Sequence, residues 1–286
     1  MYTTLIEPAE LATNAGQAGW VIVDCRFDLA RPEWGATTYA EGHIPGALYA
    51  HLDRDLSGPV TSSSGRHPLP TPEAFAATAG RWGIDGTSQV IAYDQGNGAY
   101  ASRLWWLLRW AGHEGVAVLN GGFAAWRQAG LAITAQPAAT KVRRFLWRAS
   151  RSTVTSTAEI QQLLNGGGLA TGQRLLIDAR SADRFAGQNE TLDPVAGHIP
   201  FARNRPFANN LEPSGRFLPP SALRARWLEI LGSASPAQVI AMCGSGVTAC
   251  HNLLALEAAG LTGATLYAGS WSEWIRDAAR PVTTQG

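Results

Sequence analysis

In Val239-Ile240-Ala241-Met242-Cys243-Gly244-Ser245-Gly246-Val247-Thr248-Ala249, four apolar residues run straight into a cysteine followed by Gly-Ser-Gly. A short apolar run bounded by turn residues reads as a buried strand, and residues 250–259 carry helical character. The loop that begins at Cys243 therefore joins the carboxyl end of a strand to the start of a helix. That is the end of an open α/β sheet at which ligands bind.

The same strand occurs earlier in the chain. Val90-Ile91-Ala92-Tyr93-Asp94 answers Val239-Ile240-Ala241-Met242-Cys243, and three further blocks repeat in the same order. Val21-Ile22-Val23-Asp24-Cys25-Arg26 matches Leu175-Leu176-Ile177-Asp178-Ala179-Arg180, Gly42-His43-Ile44-Pro45 recurs as Gly197-His198-Ile199-Pro200, and Gly121-Gly122-Phe123-Ala124-Ala125-Trp126 as Gly269-Ser270-Trp271-Ser272-Glu273-Trp274. Such ordered matches indicate two diverged copies of one domain. In each copy, apolar runs such as 21–23, 90–93 and 116–119 alternate with segments of helical spacing such as 100–111. That is the pattern of a mostly parallel sheet flanked by helices. The expected fold class is α/β, with one domain over 1–136, a linker over 137–150 where a Pro-containing stretch has no apolar period, and a second domain over 151–286.

Composition narrows the possible functions. The 286 residues are 45% apolar and 16% charged, as in a folded globular chain. Eleven tryptophans suit packing better than a binding platform. A formal net charge of +1, with basic runs no longer than Lys141-Val142-Arg143-Arg144, gives no general attraction to nucleic acid or to an anionic membrane. No apolar run approaches membrane-spanning length. Residues 1–11 carry Glu7 and Glu10 where a secretory leader would be basic and then apolar. Three cysteines, Cys25, Cys243 and Cys250, argue for a reducing compartment rather than a disulfide framework, so a cytoplasmic location is expected.

The copies differ chemically where Cys243 answers Asp94. Gly244 and Gly246 let successive amide N–H groups turn toward one point as an anion nest, and the helix start adds partial positive charge. Such a cradle favours a thiolate, the nucleophilic form of cysteine. Cys250 lies one turn from Leu253 and Leu254 on a helix, and Cys25 lacks a glycine-rich cradle, so both read as packing. A carboxylate at 94 cannot replace a thiolate nucleophile, and the first copy is expected to be catalytically silent. His43 and His198 occupy equivalent blocks of both copies and are expected to fix the local fold. His43, His51, His67 and His198 lack Cys or carboxylate partners at ligand spacing, and neither a metal nor an organic cofactor is expected.

With the 243–249 loop, the two Gly-His-Ile-Pro elements, Asp178-Ala179-Arg180 and the 269–274 block, the chain resembles the tandem rhodanese family over nearly its whole length. The loop looks like that of the 3-mercaptopyruvate sulfurtransferase branch. The resemblance implies a small-molecule sulfur donor, a persulfide on Cys243 with release of pyruvate, and a thiol or cyanide acceptor, with a thioredoxin-like protein as a reasonable one. It also implies a Ser-His-Asp group, carried over onto Ser245, His67 and Asp53, which would relay a proton to the departing pyruvate enolate. Arg184 matches the family arginine that grips the donor carboxylate, and Gly244, Gly246, Val247 and Thr248 complete the substrate-binding loop. For Arg184 the competing expectation is an ion pair with Asp183 or Glu190. In the thiosulfate-using branch the residues after the cysteine are typically basic or otherwise adapted to a dianion. Neutral Gly244 and Ser245 point instead to a monoanionic donor. Two positions depart from the pattern: Leu192-Asp193-Pro194 stands where a second arginine is usual, and Phe201 replaces the glycine after His-Ile-Pro.

Three rival readings follow from the same loop. The departure at Asp193 keeps thiosulfate open as donor through the same cysteine. A sulfur-carrier or redox module would hold a persulfide without turning over a donor. A cysteine-dependent phosphatase would close its loop with an arginine at the position of Ala249, which excludes that chemistry.

Overall fold

The computed structural model describes residues 1–148, 150 and 152–284, so the expected boundary at 150–151 and the last two residues of the second domain fall partly outside the described residues. The chain divides into two units. One comprises Met1–Gly58, Leu69–Arg151 and Glu212–Phe217, and the other Pro59–Pro68, Ser152–Leu211 and Leu218–Gly286. Residues 59–68 thus belong with the second unit although they precede most of the first.

In the first unit, β1 (Leu5–Ile6), β2 (Trp20–Asp24), β3 (Leu48–Tyr49), β4 (Gln89–Tyr93) and β5 (Val116–Leu119) form a parallel sheet in the order β1-β5-β4-β2-β3. β4 is central and buried along its length, which is why its sequence is an unbroken apolar run rather than an alternating one. The Ile22↔Ile91 pairing sets both side chains into a core with Leu11, Tyr93, Phe123 and Trp126. Residues 137–148 hold no helix or strand. They are nevertheless tied to this unit: the Arg143 N–H donates to the Gly80 carbonyl at 3.0 Å, and Phe145 is buried.

In the second unit, β6 (Leu175–Asp178), β7 (Arg203–Asn204), β8 (Val239–Met242) and β9 (Thr265–Leu266) form a parallel sheet in the order β7-β6-β8-β9. Leu176, Ile240 and Met242 share a core with Ile160, Ile199, Tyr267, Trp271 and Trp274. Central β8 delivers Cys243 at its carboxyl end, and the helix Thr248–Ala258 leaves the loop that follows.

The repeated blocks form the same device in both units. Asp24 grips Arg26 (Oδ2 to Nη2 2.6 Å), which donates to the Gly42 carbonyl at 2.8 Å. Asp178 grips Arg180 at 2.7 Å, and Arg180 donates to the Gly197 carbonyl at 2.8 Å. A buried ion pair held this closely has most of its hydrogen-bonding capacity satisfied, and it ties the strand end to the Gly-His-Ile-Pro turn. His43 stacks on Tyr39 and His198 on Phe185, each with Nδ1 within hydrogen-bond distance of that residue's carbonyl. Both histidines are fold elements.

Candidate active site

Cys243 is buried where β8 ends. Its amide N–H donates to Ser270 Oγ at 3.1 Å, and its carbonyl accepts from the Trp271 N–H at 3.0 Å. Next along, the Gly244 carbonyl accepts from the Ser272 N–H at 2.8 Å. These bonds to the 269–274 block fix the loop backbone from outside. Gly246 turns the chain with φ +77°, and a Cβ there would come within 2.3 Å of the Ala268 carbonyl oxygen. Only glycine fits. The amides of Ser245, Val247, Thr248 and Ala249 have no hydrogen-bond partner among the described residues. They lie between the end of β8 and the first turn of the helix Thr248–Ala258, a position suited to holding an anion.

Ser245 is buried, and its Oγ lies 2.7 Å from His67 Nδ1. His67 comes from residues 59–68, which belong to this unit and are tied to it by backbone contacts as well. Arg66 N–H donates to Ser272 Oγ at 3.0 Å, and Arg276 Nε donates to the Ser64 carbonyl at 3.0 Å. A serine hydroxyl and an imidazole at this distance are close enough to exchange a proton. Asp53 belongs to the first unit, in the first turn of the helix Leu52–Asp55, where its N–H donates to His51 Nδ1 at 3.2 Å.

Arg184 also faces the loop. From the position a Cβ on Gly244 would take, Arg66 Nη2 is 3.0 Å away and Arg184 Nη2 3.6 Å. Arg184 pairs with Glu190 (Nη2 to Oε1 2.9 Å) and with Asp193 (3.3 Å), and Asp193 also pairs with Arg66. The competing expectation of a Glu190 ion pair is therefore met, and at the same time the guanidinium stands over the loop. Burial pushes the Asp193 carboxyl up, against the pull of Arg66. For Glu190 burial acts upward too, but the Arg184 guanidinium and the N–H groups of Leu192 and Asp193 outweigh it and hold the group below its usual range. The loop that reads as neutral in sequence thus carries two guanidinium groups brought from elsewhere.

Sequence reasoning missed Arg66, Ser270 and Ser272. Ser270 has φ +54°, an uncommon value for a residue with a side chain, and its Oγ both accepts from Cys243 N–H and donates to the Tyr267 carbonyl at 2.9 Å. The signal was present: the first copy has Gly122 at this position, also with φ +54°. A serine where the fold prefers glycine marks a side chain with a task.

The first unit shows the alternative state of the loop. Asp94 Oδ1 accepts from the N–H groups of Gly96 and Gly98 (3.0 and 2.9 Å), and Oδ2 from those of Tyr100 and Ala101 (2.9 and 3.2 Å). Burial raises the Asp94 carboxyl's proton affinity, and these four donors oppose it. The nest is filled by the chain's own carboxylate. Cys25 is buried, and desolvation with the carboxylates of Asp24, Asp94 and Asp55 pushes its thiol well up, which disfavours the thiolate form. Cys250 Sγ lies 3.3 Å from the Gly246 carbonyl, on the helix behind the loop. Among the described residues no three or more His, Cys, Asp or Glu side chains cluster as a metal site, and no helix is long and apolar enough to cross a membrane.

The rhodanese-like domain model matches twice, over residues 7–129 and 156–277. The chain is 47% identical to a Pseudomonas aeruginosa protein named "Probable 3-mercaptopyruvate sulfurtransferase", over 98% of each chain. It is 33% identical to a Bos taurus thiosulfate sulfurtransferase, over 97% of this chain and 94% of that one. The solved structure of a Leishmania major 3-mercaptopyruvate sulfurtransferase superposes with a TM-score of 0.79 at 32% identity, covering 95% of this chain and 74% of the other.

Proposed function

The chain belongs to the rhodanese family, with two rhodanese-like domains, and we propose that it is a sulfurtransferase that moves sulfur from 3-mercaptopyruvate to a thiol or cyanide through a persulfide on Cys243. The observation that carries this reading is the Ser245–His67 contact at 2.7 Å in the loop that Cys243 opens.

The Cys243 thiolate attacks the sulfur of the donor, an S–S bond forms, and the donor's C–S bond breaks with its electron pair passing to carbon. The resulting pyruvate enolate takes up the proton that the donor thiol has lost, by way of Ser245 and His67, with Asp53 as the third member of the relay. The persulfide anion rests against the loop amides. A second thiol, or cyanide, then attacks its outer sulfur and returns Cys243 as thiolate in a ping-pong cycle. Arg184 holds the donor carboxylate, and Gly244, Gly246, Val247 and Thr248 shape the backbone around the sulfur. A thioredoxin-like protein in the cytoplasm suits the acceptor role. The domain over 1–136 is silent because Asp94 occupies its nest, the linker covers 137–150, and 151–286 carries the chemistry.

Steady-state transfer to cyanide, measured with 3-mercaptopyruvate and thiosulfate side by side, tests the reading. Preference for 3-mercaptopyruvate that Cys243→Ser abolishes is the expected result. Preference for thiosulfate would keep the nucleophile and discard the donor, and a persulfide that forms without turnover under excess donor would favour a sulfur-carrier module.

A further inference from the structure

The arginines of the two repeated ion pairs end differently. Arg180 spends Nε and Nη2 on Asp178 and the Gly197 carbonyl, and its Nη1, shut off from solvent, faces Glu190 Oε2 at 3.6 Å. Arg26 spends Nε and Nη2 in the same way on Asp24 and the Gly42 carbonyl. It is 4% exposed and lies 4.3 Å over the Phe123 ring, yet its Nη1 has no hydrogen bond and no second carboxylate within ion-pair distance among the described residues. The cause lies in the chain between strand and turn. At the separation from the Gly-His-Ile-Pro block at which the second copy has Glu190, the first copy has Gly35, a buried residue of the helix Trp34–Glu41.

Arg26 instead lines a cleft of about 460 Å³, a volume usual for small-molecule sites. Trp34, Phe123 and Ile133 give the cleft apolar walls, and the exposed side chains of Glu41 and Arg127 stand at its rim. The Arg127 guanidinium has no hydrogen bond or ion pair among the described residues. Because Asp24 already pins Arg26, a ligand oxygen meeting Nη1 gains a charge-assisted hydrogen bond with little further side-chain ordering. Charge sets a limit on the ligand. Asp24 offsets Arg26 and Glu41 offsets Arg127, so a second negative charge on the ligand finds no cation of its own.

We propose that this cleft of the first unit is a binding site for a small monocarboxylate with an apolar body. Its carboxylate stands to Arg26 Nη1 as Glu190 stands to Arg180 Nη1, with Arg127 beside it at the rim, and its apolar part lies against Trp34, Phe123 and Ile133. Every residue of the site belongs to the first unit, and Cys243 takes no part in it.

The test is calorimetric titration of the full chain with 3-phenylpropionate, and with three probes that each change one feature: propionate (no apolar body), 3-phenylpropanol (no charge) and phenylsuccinate (a second carboxylate). Saturable binding of 3-phenylpropionate is expected with a dissociation constant below about 1 mM. Each of the other three should bind at least about tenfold more weakly, as for a lost charge-assisted hydrogen bond or a lost apolar contact. Ala124→Trp, which places an indole on an exposed wall position of the cleft, should weaken 3-phenylpropionate by about tenfold or more. Arg184→Ala should leave its affinity within about twofold, because that residue shares no partner with the cleft. Glu41→Gln should narrow the gap to phenylsuccinate. Absence of saturable 3-phenylpropionate binding overturns the proposal, as does binding that Arg184→Ala abolishes and Ala124→Trp leaves intact, which would assign it to the second unit. Equal affinity for 3-phenylpropanol removes the role of Arg26, and equal affinity for phenylsuccinate overturns the monocarboxylate assignment. Should Ala124→Trp not fold, Arg127→Ala, a change at an exposed position, carries the same comparison with an expected loss of about threefold or more.

Discussion

At the scale of single residues, the account turns on Ser245 and His67 acting in donor cleavage and not in the second transfer. Ser245→Ala should slow persulfide formation from 3-mercaptopyruvate by about 100-fold, the range of a lost proton relay, while the reaction of the finished persulfide with cyanide changes little. Equal slowing of both steps would place the serine in persulfide binding instead. Cys243 and Ser245 were legible in the sequence because the glycines around them announce a special backbone. His67 was legible only through family resemblance, since nothing in Gly65-Arg66-His67-Pro68 marks a loop histidine as functional. Arg66 was invisible: its position over Gly244 depends on Asp193 and Ser272, which lie far along the chain.

At the scale of elements, the two strand-loop-helix units give opposite solutions to one problem, that of a ring of inward N–H groups. Asp94 satisfies them in the first unit, and in the second Cys243 stands where that carboxylate would be, with its own N–H bonded to Ser270 Oγ. Asp94→Ala would leave four donors without an acceptor and should destabilise the first unit by about 2–4 kcal/mol, read by thermal unfolding, with Cys243 chemistry intact at temperatures where the protein is folded. Gly246→Ala should do the reverse and damage the chemistry directly. Its φ of +77° and the 2.3 Å approach to the Ala268 carbonyl leave no room for a methyl group, so the loop must shift and transfer should fall by at least about tenfold. Normal activity in Gly246→Ala would mean that the loop backbone is not the cradle. The strands were readable as apolar runs because both faces of β4 and β8 are covered. Ser270 escaped because its left-handed φ is signalled only by Gly122, its counterpart in the first copy, and not by its own identity.

At the scale of the whole molecule, the duplicated blocks gave away the α/β architecture, since four matched motifs in order leave little freedom. The membership of residues 59–68 did not show, because residue identity does not say which unit a loop belongs to; the matching Ser214-Gly215-Arg216, within Glu212–Phe217, is likewise grouped with the first unit although it lies inside the second copy. Its consequence is testable. A chain cut at the linker, with 152–286 produced alone, keeps Cys243 but lacks Arg66 and His67. Its persulfide formation from 3-mercaptopyruvate should fall by about 100-fold or more, whereas a second half that works at full rate would show the 59–68 segment to be dispensable. The most direct measurement of the central claim is mass spectrometry of peptides from protein treated with 3-mercaptopyruvate and then alkylated. The account predicts one added sulfur atom on the Cys243 peptide, removed by cyanide, and none on Cys25 or Cys250. Sulfur found on either of those cysteines, or undiminished transfer by Cys243→Ser, would contradict it.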